Sequence, residues 1–578
     1  MSLYRDILRR YWHYDDFRPL QAEIIESIGN GTDTLALLPT GGGKSICFQV
    51  PALAMQAPGN PDGDGLCLVV TPLVALMKDQ VNNLRERGIK AFALYAGQTT
   101  QEVLDILDHC QFGHTKFLYV SPERLESEHF RNRLRFLPVA MIAVDEAHCI
   151  SQWGYDFRPP YLKIASVREV FPQAPVLALT ASATPEVAED IQKKLLFHNQ
   201  NVFKGSFCRG NLCYVVRCAD DKEAQLVHIL RSVEGCSIVY VRSRQHTKAV
   251  SDMLNAAGVK ATYFHAGLAG AEKDLRQRKW TEGDIRVMVA TNAFGMGIDK
   301  PDVRSVIHID LPDSLEEYFQ EVGRAGRDGE TAYAVLLYNK KDDAKIKKRH
   351  TDAFPDRTFL KRVYEAAGDW LEVALGFGGG HTYVFDFDLF CKEKHLPLIP
   401  AYSAFSLISQ AGFWSYEDEQ ETPPRVKIER SKEQLNKERL SPVQEDILSR
   451  LMRRHTGLFI NHAVIDETDL CSALHLSPKE LTEQLILLSH EGIISYIPRR
   501  RTPYLTFLKD RVPLEQLIFT AGQYENKQKQ HASRLEAMLE YATQNSFCRQ
   551  QVLVGWFGEN DAPPCGCCDV CRKNKRRD

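Results

Sequence analysis

Between about residue 20 and residue 340, short runs of β-branched and aliphatic residues alternate with stretches of helical periodicity, and this alternation constrains the fold more than any other feature. The runs are Thr34–Leu38, Cys67–Val70, Phe117–Val120, Met141–Val144 and Val176–Leu179, then Ser237–Val241, Val287–Ala290, Val306–Ile309 and Ala332–Leu337. Strands separated by helices lie parallel, with helices covering the sheet. The runs fall into two groups with a junction near Gly205–Asn211. The expectation is two α/β domains in tandem, residues 1–205 and 206–345, with the cleft between them as the natural ligand site. A chain of 578 residues exceeds one hydrophobic core, so three to five domains are expected.

Beyond residue 350 the alternation stops and a repeat replaces it. Leu407-Ile408-Ser409-Gln410-Ala411-Gly412-Phe413-Trp414-Ser415-Tyr416 matches Leu487-Leu488-Ser489-His490-Glu491-Gly492-Ile493-Ile494-Ser495-Tyr496, eighty positions later. Upstream, Asp388-Leu389 with His395-Leu396 mirrors Asp469-Leu470 with His475-Leu476. Each copy reads as a short helix, a turn, a longer helix closed by glycine and a strand hairpin, the order of a winged helix. Two winged-helix-like units are expected over residues 346–515, with two unrelated helix-glycine-strand junctions as the alternative. Residues 516–578 form a separate cysteine-rich module.

Composition narrows the function classes. With 44% hydrophobic and 25% charged residues the chain is typical of soluble globular proteins, and it has no run of about 18 uncharged apolar residues. Its first residues, MSLYRDILRRYWHYDDF, lack the apolar core of a secretory signal, so a reducing, intracellular setting is expected. There the 15 cysteines read as buried thiols or metal ligands, and five of them crowd the last 31 residues. Net charge is −3, so any contact with nucleic acid must be local. Candidate patches are Lys347-Lys348-Arg349, Arg499-Arg500-Arg501 and Arg572-Lys573-Asn574-Lys575-Arg576-Arg577, each of which also reads as ordinary solvated surface.

The chemistry sits at strand ends. The run Thr34–Leu38 leads into Pro39-Thr40-Gly41-Gly42-Gly43-Lys44-Ser45, where glycines let backbone N–H groups turn onto a phosphate. Lys44 would reach the β and γ phosphates and Ser45 would bind Mg²⁺. The GxxxxGKS pattern asks for glycine at position 38, which is Leu38. The run Met141–Val144 ends in Asp145-Glu146-Ala147-His148; Asp145 is assigned to Mg²⁺ and Glu146 to the attacking water. In the second domain, Gln320-Glu321-Val322-Gly323-Arg324-Ala325-Gly326-Arg327-Asp328-Gly329 places Arg324 and Arg327 on one helical face, able to neutralise charge on a transferred γ-phosphate when the cleft closes. After DEAH, the loop Gln152-Trp153-Gly154-Tyr155-Asp156-Phe157-Arg158 offers aromatic faces for unpaired bases and an arginine for phosphate.

Phe17-Arg18-Pro19-Leu20-Gln21, TGGGKS, Thr71-Pro72-Leu73, DEAH, Thr180-Ala181-Ser182-Ala183-Thr184, Ala290-Thr291-Asn292-Ala293-Phe294-Gly295-Met296-Gly297-Ile298-Asp299 and QEVGRAGRDG resemble the ordered motifs of superfamily 2 helicases. The loop CISQWGYDFRP resembles that of RecQ helicases in particular. The resemblance implies an α/β fold of two tandem RecA-like domains, then the winged-helix-like region and a C-terminal helical zinc-binding module. It implies adenine recognition by Tyr14, Arg18 and Gln21, with Thr40, Gly41, Gly42, Gly43, Lys44 and Ser45 completing the nucleotide site. Arg327 becomes the arginine finger beside Lys44, Asp145, Glu146, Gln320 and Arg324, and DNA and 3′ to 5′ travel follow from the same likeness. Cys548-Arg549-Gln550, Trp556-Phe557-Gly558-Glu559 and CGCCDVC resemble the RecQ zinc module. Five cysteines compete for four positions; the pairs 565/568 and 568/571 have ligand spacing, and the resemblance gives the place of Cys567 to a non-ligand, favouring Cys548, Cys565, Cys568 and Cys571. In the usual family order this module follows the motor directly, whereas here it comes after the winged-helix region, which leaves the accessory geometry open.

The expected activity is ATP-dependent DNA unwinding in repair and recombination, with ATP, Mg²⁺ and Zn²⁺ as cofactors. Expected partners are single-stranded and branched or tailed duplex DNA and a single-strand-binding protein, with no membrane, for a monomer in a bacterial, nucleoid-associated cytoplasm. A translocase or RNA-directed relative, and a DNA-binding scaffold without ATPase activity, are the competing readings.

Overall fold

The computed structural model describes residues 1–39, 41–95, 98, 100–151, 154, 156–295, 300–422, 424–435, 440–455, 458–459, 463–497 and 500–575. The chain forms two compact units: Met1–Lys347 with Gln530–Asp578, and Lys348–Lys529.

The first unit contains two parallel sheets. Seven strands lie in the order Ala91–Leu94, Phe117–Val120, Leu66–Val70, Val139–Val144, Val176–Thr180, Thr34–Leu37 and Val202–Lys204. Six lie in the order Leu212–Cys218, Ala332–Tyr338, Val303–His308, Cys236–Tyr240, Val287–Ala290 and Ala261–Phe264. Every central strand coincides with an apolar run visible in the sequence. The four that the sequence does not announce, Ala91–Leu94, Val202–Lys204, Leu212–Cys218 and Ala261–Phe264, are the four sheet edges. An edge strand is covered on fewer sides, so its residues need not be continuously apolar, as Arg217 and Lys204 illustrate.

In the second unit one element order occurs twice, and its wiring is not what linear order suggests. The first winged helix comprises the helix Arg357–Trp370, strand Thr382–Val384, helices Phe387–Glu393 and Leu398–Gln410, and strand Trp414–Thr422. The second comprises Pro442–Arg454, Ala463–Val464, Glu467–Leu474, Pro478–His490 and Ile494–Ile497, with Arg425–Ile428 at the centre of its sheet. The long helix of each copy ends before a glycine in the left-handed region, Gly412 at φ 77° and Gly492 at φ 66°. The hairpin expected after the first copy closes only with Arg500–Phe507, which pairs antiparallel from Trp414↔Phe507 to Thr422↔Arg500. The second winged helix is therefore inserted at the wing tip of the first. Trp414 anchors the host: fully buried, it stacks on Tyr364 at 5.3 Å and donates from Nε1 to the Phe405 carbonyl at 3.1 Å.

Because Thr422 and Arg500 already face each other in register, residues 423–499 should be replaceable by an Asn-Gly turn. Hydrogen-exchange protection of segments 414–417 and 503–507 is expected to be unchanged in that deletion variant. Loss of protection would mean that the two winged helices fold only together.

Candidate active site

A cleft of about 880 Å³ opens between the two parallel sheets, lined by Lys44, Asp145 and Glu146 from one side and Gln320, Arg324 and Arg327 from the other. Parallel strands direct their carboxyl ends to the same edge, which is where loops can gather a ligand. The strand Thr34–Leu37 delivers Gly41 (φ 79°) and Gly43 (φ 76°), and the helix Lys44–Ala54 begins immediately after. A Cβ on Gly43 would run into the Gln21 amide, so glycine is required for a close approach as well as for its backbone. Gln21 Nε2 donates to the Gly43 carbonyl at 3.0 Å and Arg18 Nη1 to the Gly41 carbonyl at 2.5 Å, so the FRPLQ segment braces the phosphate loop. Tyr14, Arg18, Gln21, Lys44 and Ser45 all line the cleft. Thr40 lies outside the described residues.

Ser45 is oriented by residues that carry no recognisable motif. Gln80, on the helix Val74–Glu86, donates from Nε2 to Ser45 Oγ at 2.9 Å and accepts from the Tyr119 hydroxyl at 3.0 Å. Asp145 follows the strand Val139–Val144, and Glu146 sits at φ 47°, a left-handed conformation costly for a side chain with a Cβ. Burial raises the Asp145 carboxyl to about 6, reinforced by the charge of Glu146 and opposed by Lys44. Burial pushes Glu146 upward too, but Lys44 and His148 outweigh it and hold Glu146 below the usual carboxylate range.

His148 connects this pair to the opposite side. Its Nδ1 lies 3.4 Å from Glu146 Oε2 and 2.9 Å from Thr180 Oγ1. Thr180 Oγ1 also accepts from the Ser182 amide at 3.3 Å, and Ser182 Oγ accepts from Gln320 Nε2 at 3.1 Å. Hydrogen bonds thus link His148, which lies beside Glu146, through Thr180 and Ser182 to Gln320 of the second sheet's domain.

The arginine segment corrects one expectation. The helix Leu315–Val322 stops at Gly323, so Arg324 and Arg327 stand in successive turns rather than on one helical face. Gly326 makes the second turn at φ 61°, where a Cβ would collide with the Ala332 side chain and the Glu330 carbonyl. Arg324 is buried with Nη1 donating to the Gly295 carbonyl. Arg327 reaches across the cleft: a Cβ built on Gly41 would meet its Cγ at 3.6 Å.

Gln152, Trp153 and Tyr155 lie outside the described residues. Of the rest of that loop, Arg158 is paired with Asp156 through Nε at 3.2 Å and Nη2 at 3.0 Å, and the Phe157 ring lies 5.8 Å from Lys194 Nζ. Both are engaged within the protein.

At the other end of the chain, the sulfurs of Cys548, Cys565, Cys568 and Cys571 all lie within 4.8 Å of one another. Cys548 Sγ is 3.5 Å from Cys565 Sγ and 3.9 Å from Cys568 Sγ. A tetrahedral Zn²⁺ with bonds of about 2.3 Å needs sulfurs about 3.8 Å apart, so the donor set fits. The amides of Cys565, Cys568 and Cys571 each donate to a cluster sulfur at 3.3 Å, which favours thiolates. Cys567 points elsewhere, its Sγ 3.7 Å from the Leu212 carbonyl, and its hydrogen bond to Cys213 lowers that thiol to about 7.

Residues 18–191 match the DEAD/DEAH box helicase model, 221–329 the helicase conserved C-terminal domain, 426–498 the RecQ helicase winged-helix domain of Bacteroidota and 508–572 the RecQ zinc-binding domain. The chain is 38% identical over 420 residues to the ATP-dependent DNA helicase RecQ of Haemophilus influenzae, a match covering 70% of this chain and 67% of that one. It belongs to the RecQ family of ATP-dependent DNA helicases. The RecQ of Pasteurella multocida is 39% identical over 386 residues, covering 65% and 60% of the two chains. The yardstick of fold alone is Mss116p bound to ssRNA and AMP-PNP, with a TM-score of 0.50 at 16% identity, covering 60% of this chain and 74% of that one. The RecQ winged-helix match falls on the inserted copy and leaves the host copy unmatched. The RecQ zinc match includes all four clustered cysteines, and this module belongs to the same compact unit as the motor sheets although 182 residues of the other unit, 348–529, intervene.

Zinc content separates the RecQ thiols: Cys568→Ser is expected to lose the metal and destabilise the module, while Cys567→Ser keeps it. Loss in the latter with retention in the former would overturn the ligand set. In the ATP cleft, Lys44→Ala should abolish turnover with single-stranded DNA binding within about twofold of the parent, because the lysine faces phosphates; near-normal hydrolysis would refute its role.

Proposed function

We propose that this protein hydrolyses Mg-ATP to travel 3′ to 5′ on single-stranded DNA and separate duplex or branched DNA, in repair and recombination. The observation that carries this is the facing of Lys44, Asp145 and Glu146 by Gln320, Arg324 and Arg327 across one cleft. Gly41, Gly42 and Gly43 offer amides to the phosphates, and Lys44 neutralises their charge. Ser45 and Asp145 would hold Mg²⁺, which when bound screens the phosphate oxygens and eases the raised Asp145 carboxyl into its ionised form. Glu146, already ionised, orients and deprotonates water. Arg327, which reaches across the cleft to Gly41, meets charge growing on the γ-phosphate only while the two sheets' domains are together, which links hydrolysis to motion. Tyr14, Arg18 and Gln21 receive the base, while Gln152, Trp153, Tyr155, Phe157 and Arg158 follow the single strand next to the carboxylates. For Arg158 that role requires release from Asp156.

The functional domains are taken as 1–205, 206–345, 346–515 and 516–578. A monomer working in a bacterial cytoplasm beside the nucleoid, with single-strand-binding protein as a partner, completes the proposal. Among the described residues no helix is long and apolar enough to cross a membrane.

Strand displacement on 3′-tailed DNA, 5′-tailed DNA and 3′-tailed RNA duplexes tests this directly. Only the first should be unwound, in an ATP-dependent manner, and Trp153→Ala should lose most of the stimulation of ATPase by single-stranded DNA. Equal unwinding of 5′-tailed or RNA substrates, or unchanged stimulation in the variant, would refute the polarity, the substrate or the loop's role respectively.

A further inference from the structure

The segment joining the two sheets is held from outside by the zinc module. Gly205 donates to the Leu37 carbonyl at 2.9 Å, tying the start of the linker to the first sheet beside the phosphate loop. Glu559 takes hold of the next residues: its Oε1 accepts from Ser206 Oγ at 2.6 Å and its Oε2 from the Phe207 amide at 2.8 Å. The Phe207 ring is fully buried between Phe557 of the module, 5.4 Å away, and Phe319, 5.7 Å away, on the helix that carries Gln320. Lys204 Nζ donates to the Phe557 carbonyl at 2.7 Å.

The strand that follows the linker, Leu212–Cys218, is held by the same module. Asp569, between two zinc thiols, accepts from the Val216 amide at 3.2 Å while paired with the buried Arg549 at 3.0 Å. Between these anchors, Arg209 Nη2 donates to the carbonyls of Ala325 at 3.1 Å and Gly326 at 2.7 Å, and Asn211 Nδ2 donates to Gly326 at 2.7 Å. Ala325 and Gly326 form the turn between Arg324 and Arg327. Glu559 thus holds Ser206 and Phe207, the backbone continues through Cys208 to Arg209, and Arg209 contacts the turn that presents the arginines to the cleft.

From this we infer that Glu559 is a positioning residue for ATP hydrolysis: by gripping the interdomain linker it makes the zinc module set the placement of Arg327. The inference rests on the ATPase reading above. A misplaced arginine costs transition-state stabilisation, not ground-state nucleotide binding, so the loss belongs in kcat.

The test measures steady-state ATP hydrolysis by the full-length, zinc-loaded protein with saturating single-stranded DNA, alongside zinc content. Glu559→Ala is expected to lower kcat about tenfold, with KM for ATP within about twofold and zinc retained, the size of effect expected when a charge-assisted hydrogen-bond pair is lost. Glu559→Gln, which can still accept from the Phe207 amide and donate to Ser206 Oγ, should recover at least about half of the parent kcat. Ser206→Ala lies outside the module, leaves its thiols untouched and should lower kcat about threefold; it decides the matter if Glu559→Ala loses zinc. An active parent with unchanged kcat in Ser206→Ala and Glu559→Ala overturns the inference, as does a Glu559→Gln variant no better than Glu559→Ala. A parent without DNA-stimulated turnover would instead sink the ATPase reading.

Discussion

Two adjacent half-buried carboxyl groups, Asp145 and Glu146, are the constraint around which the motor is arranged. Two like charges out of water repel and are poorly solvated, so each must be offset by a specific neighbour. Lys44 opposes the upward push on both, and His148 adds to it at Glu146. The result is an asymmetry: the Glu146 carboxyl is held below the usual carboxylate range and the Asp145 carboxyl above it, the difference on which the proposed roles at water and at Mg²⁺ rest. The strained backbone at Glu146 and the contacts through Thr180, Ser182 and Gln320 fit the same purpose, because they tie the ionised member to the opposite domain.

The zinc module and the linker between the two sheets are tied to one another beside that site. The zinc module follows the winged helices in the chain, yet it shares a compact unit with the motor and packs on the linker and on the helix preceding the arginines. The winged-helix unit is thus an insertion between two parts of one compact unit, and the second winged helix is an insertion within the first. The second is accommodated where chain ends already lie close, Thr422 opposite Arg500.

Much of this was legible from residues alone, and the illegible parts share a physical character. Strands at sheet centres announce themselves because both faces are buried; edges such as Leu212–Cys218 do not. Glycine after the phosphate strand, carboxylates at a strand end and spaced thiols are local patterns, and the structure brings Lys44, Asp145, Glu146, Gln320, Arg324 and Arg327 to one cleft and four cysteines to one cluster. What sequence order cannot display is long-range partnership. The pairing of Trp414–Thr422 with Arg500–Phe507, the bracing of Ser45 by Gln80, and the grip of Glu559 on Ser206 each join distant residues of ordinary type. The helical placement of Arg324 and Arg327 failed for a local reason: Gly323 and Gly326 break the helix that their spacing suggested.

The central claim is that hydrolysis waits on an arginine brought from the second domain. Phosphate release measured in the first turnover for Arg327→Ala, with ATP and single-stranded DNA at saturating levels, addresses it most directly. The account predicts normal binding of both ligands with a burst rate lower by about 10³ or more, the usual contribution of an arginine finger. A rate within a few fold of the unsubstituted protein would contradict it.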